Sequence, residues 1–324
     1  MLCISSPFTD PYFNLASEEF LLKHYTDAIF LLYRNQPAIV IGKHQNALAE
    51  INLEYVRTNR IAVARRISGG GAVYHDPGNV NFAFITTGRE GELVDYRKYT
   101  APVISALWSL GLEVRMGDRH ELLLNGLKIS GTASHVFKHR VLHHGTLLFS
   151  ARMDALSGSL RAGRSHFLDR AVHSIPSRVT NIRDHLVEKI DVKDFQAILF
   201  RHILMTMEDA RPHHYSEQDL NSIQNLRDSR YSTWEWNFGY SPRYEFSKSH
   251  SSGAGKFTLH MNVEKGIIRQ INIEGEFSGD AGILQEFITG TIHDPETIRT
   301  KLSEIRVGDY INGLENEDLI ALMF

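Results

Sequence analysis

The sequence predicts an α+β fold: a mixed, mainly antiparallel β-sheet domain packed with helices over residues 1–234, then a small α+β domain over residues 235–324. Three observations predict it. Short apolar runs divided by turn residues fill much of the first two hundred positions, with helical periodicities interspersed. Asn125-Gly126 joins two such runs, and that dipeptide favours the positive backbone angles of a tight antiparallel hairpin. Near Trp234-Glu235-Trp236-Asn237-Phe238-Gly239 the character changes, and a two-strand pattern followed by three short helices completes the chain.

Asp10 can cap the amides left unpaired at a helix start, and Pro11 suits the first turn, where its missing N–H costs nothing. Phe13, Ala16, Phe20 and Tyr25 then recur at roughly helical spacing, with Glu18, Glu19 and Lys23 between them. Ile29 to Tyr33 and Ala38 to Ile41 read as short strands divided by Asn35 and Pro37, and Ile61 to Ala64 leads into a glycine cluster. Val80, Phe82 and Phe84 alternate with Asn81, Ala83 and Ile85, a strand pattern. Tyr99 to Leu110 reads as a helix ending at Gly111; Glu121 to Leu124 and Leu127 to Ser130 flank the Asn125-Gly126 turn; His144 to Ser150 is a further strand. In the second domain Lys256 to Val263 and Ile267 to Ile273 form a hairpin about Glu264-Lys265-Gly266. Ser251, Ser252, Gly253 and Gly255 read as a flexible loop, and Ile283 to Ile288, Pro295 to Ile305 and Glu317 to Met323 as helices. There are no internal repeats and no low-complexity segments.

The 324 residues carry 35 Lys+Arg against 38 Asp+Glu, a net charge of −3. That balance argues against a dedicated nucleic-acid binder and leaves room only for a local basic groove. A single cysteine, Cys3, excludes an internal disulfide and a cysteine zinc site. The first ten residues lack a signal pattern, and no uncharged apolar run reaches the ~18 residues of a membrane span. A soluble protein of the reducing cytoplasm, acting as a monomer and engaging neither membrane nor nucleic acid, is expected.

The most informative stretch is Arg65-Arg66-Ile67-Ser68-Gly69-Gly70-Gly71-Ala72-Val73-Tyr74-His75-Asp76. Three glycines strip one bend of side chains, so its amides can approach a ligand and form an anion-binding concavity. The arginines before it are planar donors suited to phosphate or carboxylate. Composition alone equally allows a flexible loop with solvated arginines. The segment ends in neither the Lys-Ser/Thr of a P-loop nor a dinucleotide glycine fingerprint, and it lies between strands. Lys128, two residues past the hairpin turn, is either an edge-strand lysine facing water or a fixed positive charge on a rigid strand. Ile39, Ile41 and Phe82 either line an apolar tunnel or sit in an ordinary core. His135, His139, His143 and His144 cluster in sequence, but in a strand-and-turn region without helical metal-ligand spacing, so no protein metal site is expected. Cys3 has no base beside it, and no serine nucleophile elbow surrounds Ser68 or Ser130.

At these residues the sequence resembles the lipoate–protein ligase A and lipoyltransferase family. The resemblance rests on residues 65–76, Lys128-Ile129-Ser130-Gly131 and His143-His144-Gly145-Thr146-Leu147-Leu148. It extends to Pro11-Tyr12-Phe13-Asn14-Leu15 with Glu18-Glu19, Ile41-Gly42-Lys43-His44-Gln45-Asn46, Ser177-Arg178-Val179-Thr180-Asn181 and Trp234-Glu235-Trp236-Asn237, in order through nearly the whole chain. It implies a biotin/lipoate ligase-like catalytic domain with a C-terminal accessory domain, and two chemical steps. Lipoate and ATP form lipoyl-AMP and pyrophosphate. A lysine of a lipoyl domain of a 2-oxoacid dehydrogenase complex, or of the glycine-cleavage H protein, then takes the acyl group. By the family pattern Arg66, Gly71, Ala72, Val73 and Tyr74 hold ATP and lipoyl-AMP, with Mg2+ arriving on the nucleotide. Lys128 is then the catalytic contact to carboxyl and α-phosphate, and Gly70 and Tyr33 border the lipoate. Tyr33 stands where many bacterial relatives have tryptophan. Gly117 to Leu124 resembles the animal lipoyltransferases, which largely perform only the transfer, so a transferase using preformed lipoyl-AMP stands beside the full ligase. A non-enzymatic module binding lipoyl-AMP or lipoyl domains is the third reading.

Overall fold

The computed structural model describes residues 1–88, 94–160, 166–252 and 255–324. Its strands are β1 (Leu2–Ser5), β2 (Ile29–Tyr33), β3 (Ala38–Ile41), β4 (Ala62–Arg65), β5 (Val73–His75), β6 (Asn79–Thr87), β7 (Val114–Met116), β8 (Leu122–Leu124), β9 (Leu127–Ser130), β10 (Thr132–Phe137), β11 (Arg140–Leu148), β12 (Phe167–Asp169), β13 (Arg211–Pro212), β14 (Tyr244–Ser252), β15 (Gly255–Glu264) and β16 (Ile267–Gly275). The helices are α1 (Pro11–His24), α2 (Ala47–Glu50), α3 (Leu53–Thr58), α4 (Tyr96–Ser109), α5 (Met153–Ser159), α6 (Val192–Thr206), α7 (Glu217–Leu226), α8 (Ala281–Ile288), α9 (Pro295–Leu302) and α10 (Asn316–Met323). The α+β class and the mainly antiparallel pairing match the expectation. Only β1–β2, β1–β13 and β3–β4 pair in parallel among the named strands.

The chain forms two compact units. In the first, six strands run in the order β10-β11-β6-β2-β1-β13, with the smaller sheets β4-β3-β5 and β7-β8-β9. The alternation in β6 assigns the two faces of the large sheet. Val80, Phe82 and Phe84 join Phe30, Leu32, Val103, Phe149, Phe195 and Leu199 in one apolar core with α4 and α6. Asn79, Asn81 and Ala83 therefore face the other way. Phe82 is thus a core residue, and Ile39 and Ile41 are fully buried on β3.

Local signals explain most boundaries. Asp10 accepts from the Tyr12 amide and Pro11 opens α1, as expected. Asn125 and Gly126 both adopt positive φ, 51° and 76°, and close the β8–β9 hairpin. The fourth helix begins at Tyr96 rather than Tyr99 because the Asp95 side chain caps it by accepting from the Lys98 amide. Strand β10 carries no alternation, because it is the half-exposed edge strand of the large sheet. The main departure is α1. Glu18 and Glu19 are only 1% and 2% exposed, so the helix is buried nearly all round rather than on one stripe. Glu19 is ion-paired to Lys23 and Arg230 and accepts from Tyr231, which satisfies its buried charge.

The second unit comprises Trp234–Phe324 together with His44–Leu53 and, among described residues, 166–172. Sheet β12-β14-β15-β16 packs Phe246, Phe257, Leu259 and Met261 against Leu284, Ile298, Leu319 and Leu322 from α8, α9 and α10. The early segments belong here because the Ala47 amide donates to Ser241 Oγ, Asn46 Nδ2 donates to Asp169 Oδ2, and β12 pairs with β14. The expected loop at Ser251, Ser252 and Gly255 is smaller than read, since these residues end β14 and begin β15; Gly253 lies outside the described residues. No helix among the described residues is long and apolar enough to cross a membrane.

His293 ties the end of the chain to this sheet. Tyr244 Oη lies 2.7 Å from its Nδ1, and its Nε2 donates to the Met323 carbonyl at 2.8 Å. Burial pulls its pKa down to about 4. The folded value lies below the unfolded one, so this contribution is complete above about pH 6.5 and is lost as pH falls toward 4. We expect stability to drop by on the order of 3 kcal/mol across that window from this residue. Denaturant titrations at pH 7 and pH 4.5 should show a shallower drop in His293→Gln; an unchanged drop would remove His293 as its source.

Candidate active site

The glycine cluster lies between β4 and β5, as its sequence position requires. Gly70 sits at the apex, exposed, with φ +88°, a conformation side-chain-bearing residues rarely adopt. Both preceding arginines are buried beneath the bend rather than held out to solvent. Arg66 donates from Nε to Ser68 Oγ (2.9 Å), from Nη1 to the Val40 carbonyl (3.0 Å), and from Nη2 to the carbonyls of Gly69 (2.6 Å) and Gly71 (2.8 Å). Burial pulls this guanidinium down to about 10, with Glu18 and Tyr33 opposing, so it stays charged at neutral pH. Arg65 donates from Nη1 to the carbonyls of Gly42 and Lys43, fixing the neighbouring loop.

Four of the expected binding positions have neighbours or partners in the protein itself. The Ala72 amide donates to Ser174 Oγ at 2.8 Å, and Gly71 packs against the same serine. Val73 and Tyr74 are the first residues of β5, paired with Val40 and Ile39 of β3.

A buried relay holds the bend from behind. Ser68 Oγ lies 2.7 Å from His144 Nε2, and His144 Nδ1 lies 2.8 Å from Glu18 Oε2. With Nδ1–H donating to the carboxylate, Nε2 accepts from the Ser68 hydroxyl. Tyr33 Oη donates to the other carboxylate oxygen of Glu18 at 3.0 Å. Burial and then Glu18 raise the Tyr33 phenol well above its ordinary pKa, so it remains a donor. Glu18, Tyr33, Ser68 and His144 thus come from α1, β2, the glycine segment and β11. Of these only Tyr33 was expected in the site.

Lys128 lies on β9, an edge strand of its small sheet, where its amide and carbonyl bond to Arg178 and Thr180. Its half-buried ammonium has no hydrogen bond or ion pair among the described residues. A Cβ placed on Gly131 would lie 3.5 Å from Lys128 Nζ and 3.9 Å from Val73 Cγ1, so the ammonium lies beside the strand leaving the glycine bend. Burial lowers its pKa below the ordinary lysine value; Arg119 and Arg66 add to this and Glu121 opposes it. The structure therefore brings Lys128, Val73 and the bend together, with Tyr33 reaching them through Glu18, His144 and Ser68. The arrangement presents a cation without a hydrogen-bond partner among the described residues beside a side-chain-free bend, which suits an anion.

Gly42 was not among the expected site residues. A Cβ there would fall 2.1 Å from the Gly70 carbonyl oxygen and 3.3 Å from the Gly69 carbonyl carbon, both backbone atoms that cannot rotate away. The sequence signal was its place straight after β3, whose pairing partner leaves the glycine bend. Gly42→Ala should displace the bend and raise the KM for an anionic ligand held there by about tenfold or more, as small site errors do. Steady-state kinetics decide this, and an unaltered KM would show that the bend tolerates displacement. Among the described residues no group of three or more His, Cys, Asp or Glu side chains is placed to hold a metal ion.

Comparison with known proteins shows the family. A family model for the lipoyl protein ligase A/B catalytic domain matches residues 10–204, and one for the bacterial lipoate protein ligase C-terminus matches residues 241–323. Lipoate-protein ligase LplJ of Bacillus subtilis is 37% identical over 321 residues, 97% of each chain. A lipoate-protein ligase A solved with bound ATP superposes with a TM-score of 0.63 at 28% identity, over 74% of this chain and 98% of its own. Protein Ta0514 of Thermoplasma acidophilum, solved with bound lipoic acid, gives 0.62 at 27% identity over 73% and 98%. A structural analysis of that organism's archaeal lipoylation system, describing a bi-partite lipoate protein ligase and its E2 lipoyl domain, gives 0.62 at 27% over 74% and 96%.

Proposed function

We propose that this chain, which belongs to the lipoyl protein ligase A/B family and is a ligase, activates lipoate with ATP and transfers the lipoyl group to a lysine of an acceptor domain. The observation that carries the reading is the unpartnered, half-buried ammonium of Lys128 beside the glycine bend. In the first step a lipoate carboxylate oxygen attacks the α-phosphorus of ATP, and the bond to pyrophosphate breaks. Lys128 offsets the repulsion between the two anions as they meet. In the second step an acceptor lysine nitrogen bonds the acyl carbon, the bond to AMP breaks, and the amine proton leaves to solvent. The same ammonium then stabilises the departing AMP.

Arg66, Gly71, Ala72, Val73 and Tyr74 frame the nucleotide in this reading, Gly70 and Tyr33 border the lipoate, and Mg2+ enters on the phosphates of ATP. The lipoic acid and ATP bound in similar proteins support the two substrates. The E2 lipoyl domain named with the archaeal ligase supports lipoyl domains of 2-oxoacid dehydrogenases as acceptors, with the glycine-cleavage H protein as the related case. Residues 1–234 act as the catalytic domain and 235–324 as the accessory domain.

The test is lipoate-dependent pyrophosphate release from ATP by the purified protein without acceptor. Release with retained lipoyl-AMP is the expected result. No release, with transfer from supplied lipoyl-AMP, would make the protein a transferase; failure of both would leave a binding module.

A further inference from the structure

A buried polar atom without a partner carries a desolvation cost that nothing in the folded protein offsets, so each one in a native interior calls for an explanation. Several such atoms lie on the strands around the candidate site, Ser130 Oγ of β9 and His143 Nδ1 of β11 among them, and three lie on β5 and β6. Asn81 is 1% exposed, and its Nδ2 has no partner, while its Oδ1 accepts from Asn79 Nδ2 at 2.8 Å. Asn79 Oδ1 is likewise unpartnered. His75, on β5, faces Asn35 Nδ2 with its Nδ1 at 2.9 Å, which leaves the proton on Nε2, and that N–H has no partner either. Burial, then Arg66 and His144, hold the pKa of this ring down to about 3, so it is neutral at pH 7.

The register locates Asn81. It stands directly across from Tyr33 of β2 on one side and Thr146 of β11 on the other, so the three side chains share one face. Thr146 Oγ1 accepts from the Gly131 amide at 3.2 Å, and the Thr146 amide donates to the Gly131 carbonyl at 3.0 Å. Gly131 is the residue against which the Lys128 ammonium lies. Asn81 is therefore the cross-strand neighbour of the residue that bonds the Gly131 backbone, beside which the Lys128 ammonium lies, on the polar face of the sheet.

We infer that the Asn81 side-chain amide is a second, neutral donor to the acyl group: its Nδ2–H binds the carboxyl oxygen that Lys128 does not neutralise, and holds the carbonyl oxygen as it becomes anionic under attack by the acceptor amine. This rests on the reading above that Lys128 meets the acyl carboxylate. A neutral donor suits the task because the carboxylate brings one negative charge, which one ammonium balances. A donor already oriented in a dry site also needs no reorganisation when the tetrahedral oxyanion forms. A buried donor left unmet by the protein costs stability, and a substrate oxygen bound to it satisfies it.

The deciding variant is Asn81→Asp. It keeps the acceptor for Asn79 and exchanges only the free donor for an oxygen that repels a carboxylate. At pH 7.5 lipoate binding by calorimetry should weaken by about tenfold or more, and lipoate-dependent pyrophosphate release should fall by about a hundredfold, the usual loss for one such donor. On the acid side the new carboxyl takes up a proton and becomes a donor, so the variant should recover rate relative to wild type as pH falls, which a merely structural change would not produce. Should circular dichroism show Asn81→Asp unfolded, Asn81→Ala serves instead, with weakened lipoate binding and no acid recovery expected. If wild type binds lipoate and makes lipoyl-AMP while a folded variant binds and reacts within about twofold of it, the inference fails and the ligase reading stands. If wild type neither binds lipoate nor makes lipoyl-AMP, both fail.

Discussion

Lys128→Ala should abolish lipoyl transfer while leaving the fold intact. The ammonium has no hydrogen bond or ion pair among the described residues, so its removal strands no buried charge or donor there. Its pKa lies below the ordinary lysine value, meaning that burial disfavours the charged form. That effect runs against stability, and it fades as pH rises through the folded pKa toward the unfolded one. The melting temperature of the variant should therefore match or slightly exceed that of wild type at pH 7. The chemistry should suffer far more. A fixed charge aimed at developing negative charge contributes several kcal/mol, so both pyrophosphate release and acceptor modification should fall by about a thousandfold. Lys128→Arg should not restore them, because the bulkier planar guanidinium cannot occupy the space beside Gly131 and Val73 in the same way. Mass spectrometry of an acceptor domain and a thermal melt measure the two halves. Near-normal turnover in Lys128→Ala would overturn the mechanism; a large fall in melting temperature would show that the lysine holds the sheet edge.

The parts of this site that depend on the backbone were legible in the sequence. Three consecutive glycines between strand patterns, and a lysine two residues past Asn125-Gly126, could be placed because turn chemistry is local. The alternation of Phe82 and Phe84 with Asn81 and Ala83 also read as a strand, although nothing local says what a buried asparagine on the face away from the apolar core is for. Glu18 and His144 were not legible as partners. They lie 126 residues apart and meet only because α1 packs on the face of the large sheet that carries β11. Helical spacing assigns charged residues to the solvent side by default, and that default fails for a helix buried all round. Helix α6 has a clear signal, Asp191 as cap and Phe195, Leu199 and Ile203 at four-residue spacing, which a strand-dominated reading of the first domain does not include.

Arg66 is where sequence and structure suggest different roles, and one substitution separates them. The pattern of two arginines before a glycine bend suggests a donor held out to phosphate. In the structure the guanidinium lies under the bend, and its donors meet Val40, Ser68, Gly69 and Gly71. Arg66→Ala would leave those carbonyls unpaired in the interior and Glu18 without a nearby cation. Removing one partner from such a buried charged network costs about 3–5 kcal/mol. The expected result is a melting temperature lower by several degrees, with loss of nucleotide binding as a consequence of the collapsed bend. Arg66→Lys should rescue little, because one ammonium cannot reproduce a planar fork that serves four acceptors at once. A thermal melt and an ATP titration on the same samples distinguish the roles. If stability is unchanged and only ATP affinity falls, the guanidinium turns toward the phosphates when nucleotide binds, and the bend is held by Ser68, His144 and Glu18 without it. If both fall together, the bend is an anion site because Arg66 holds its carbonyls down, which turns the adjoining amides outward.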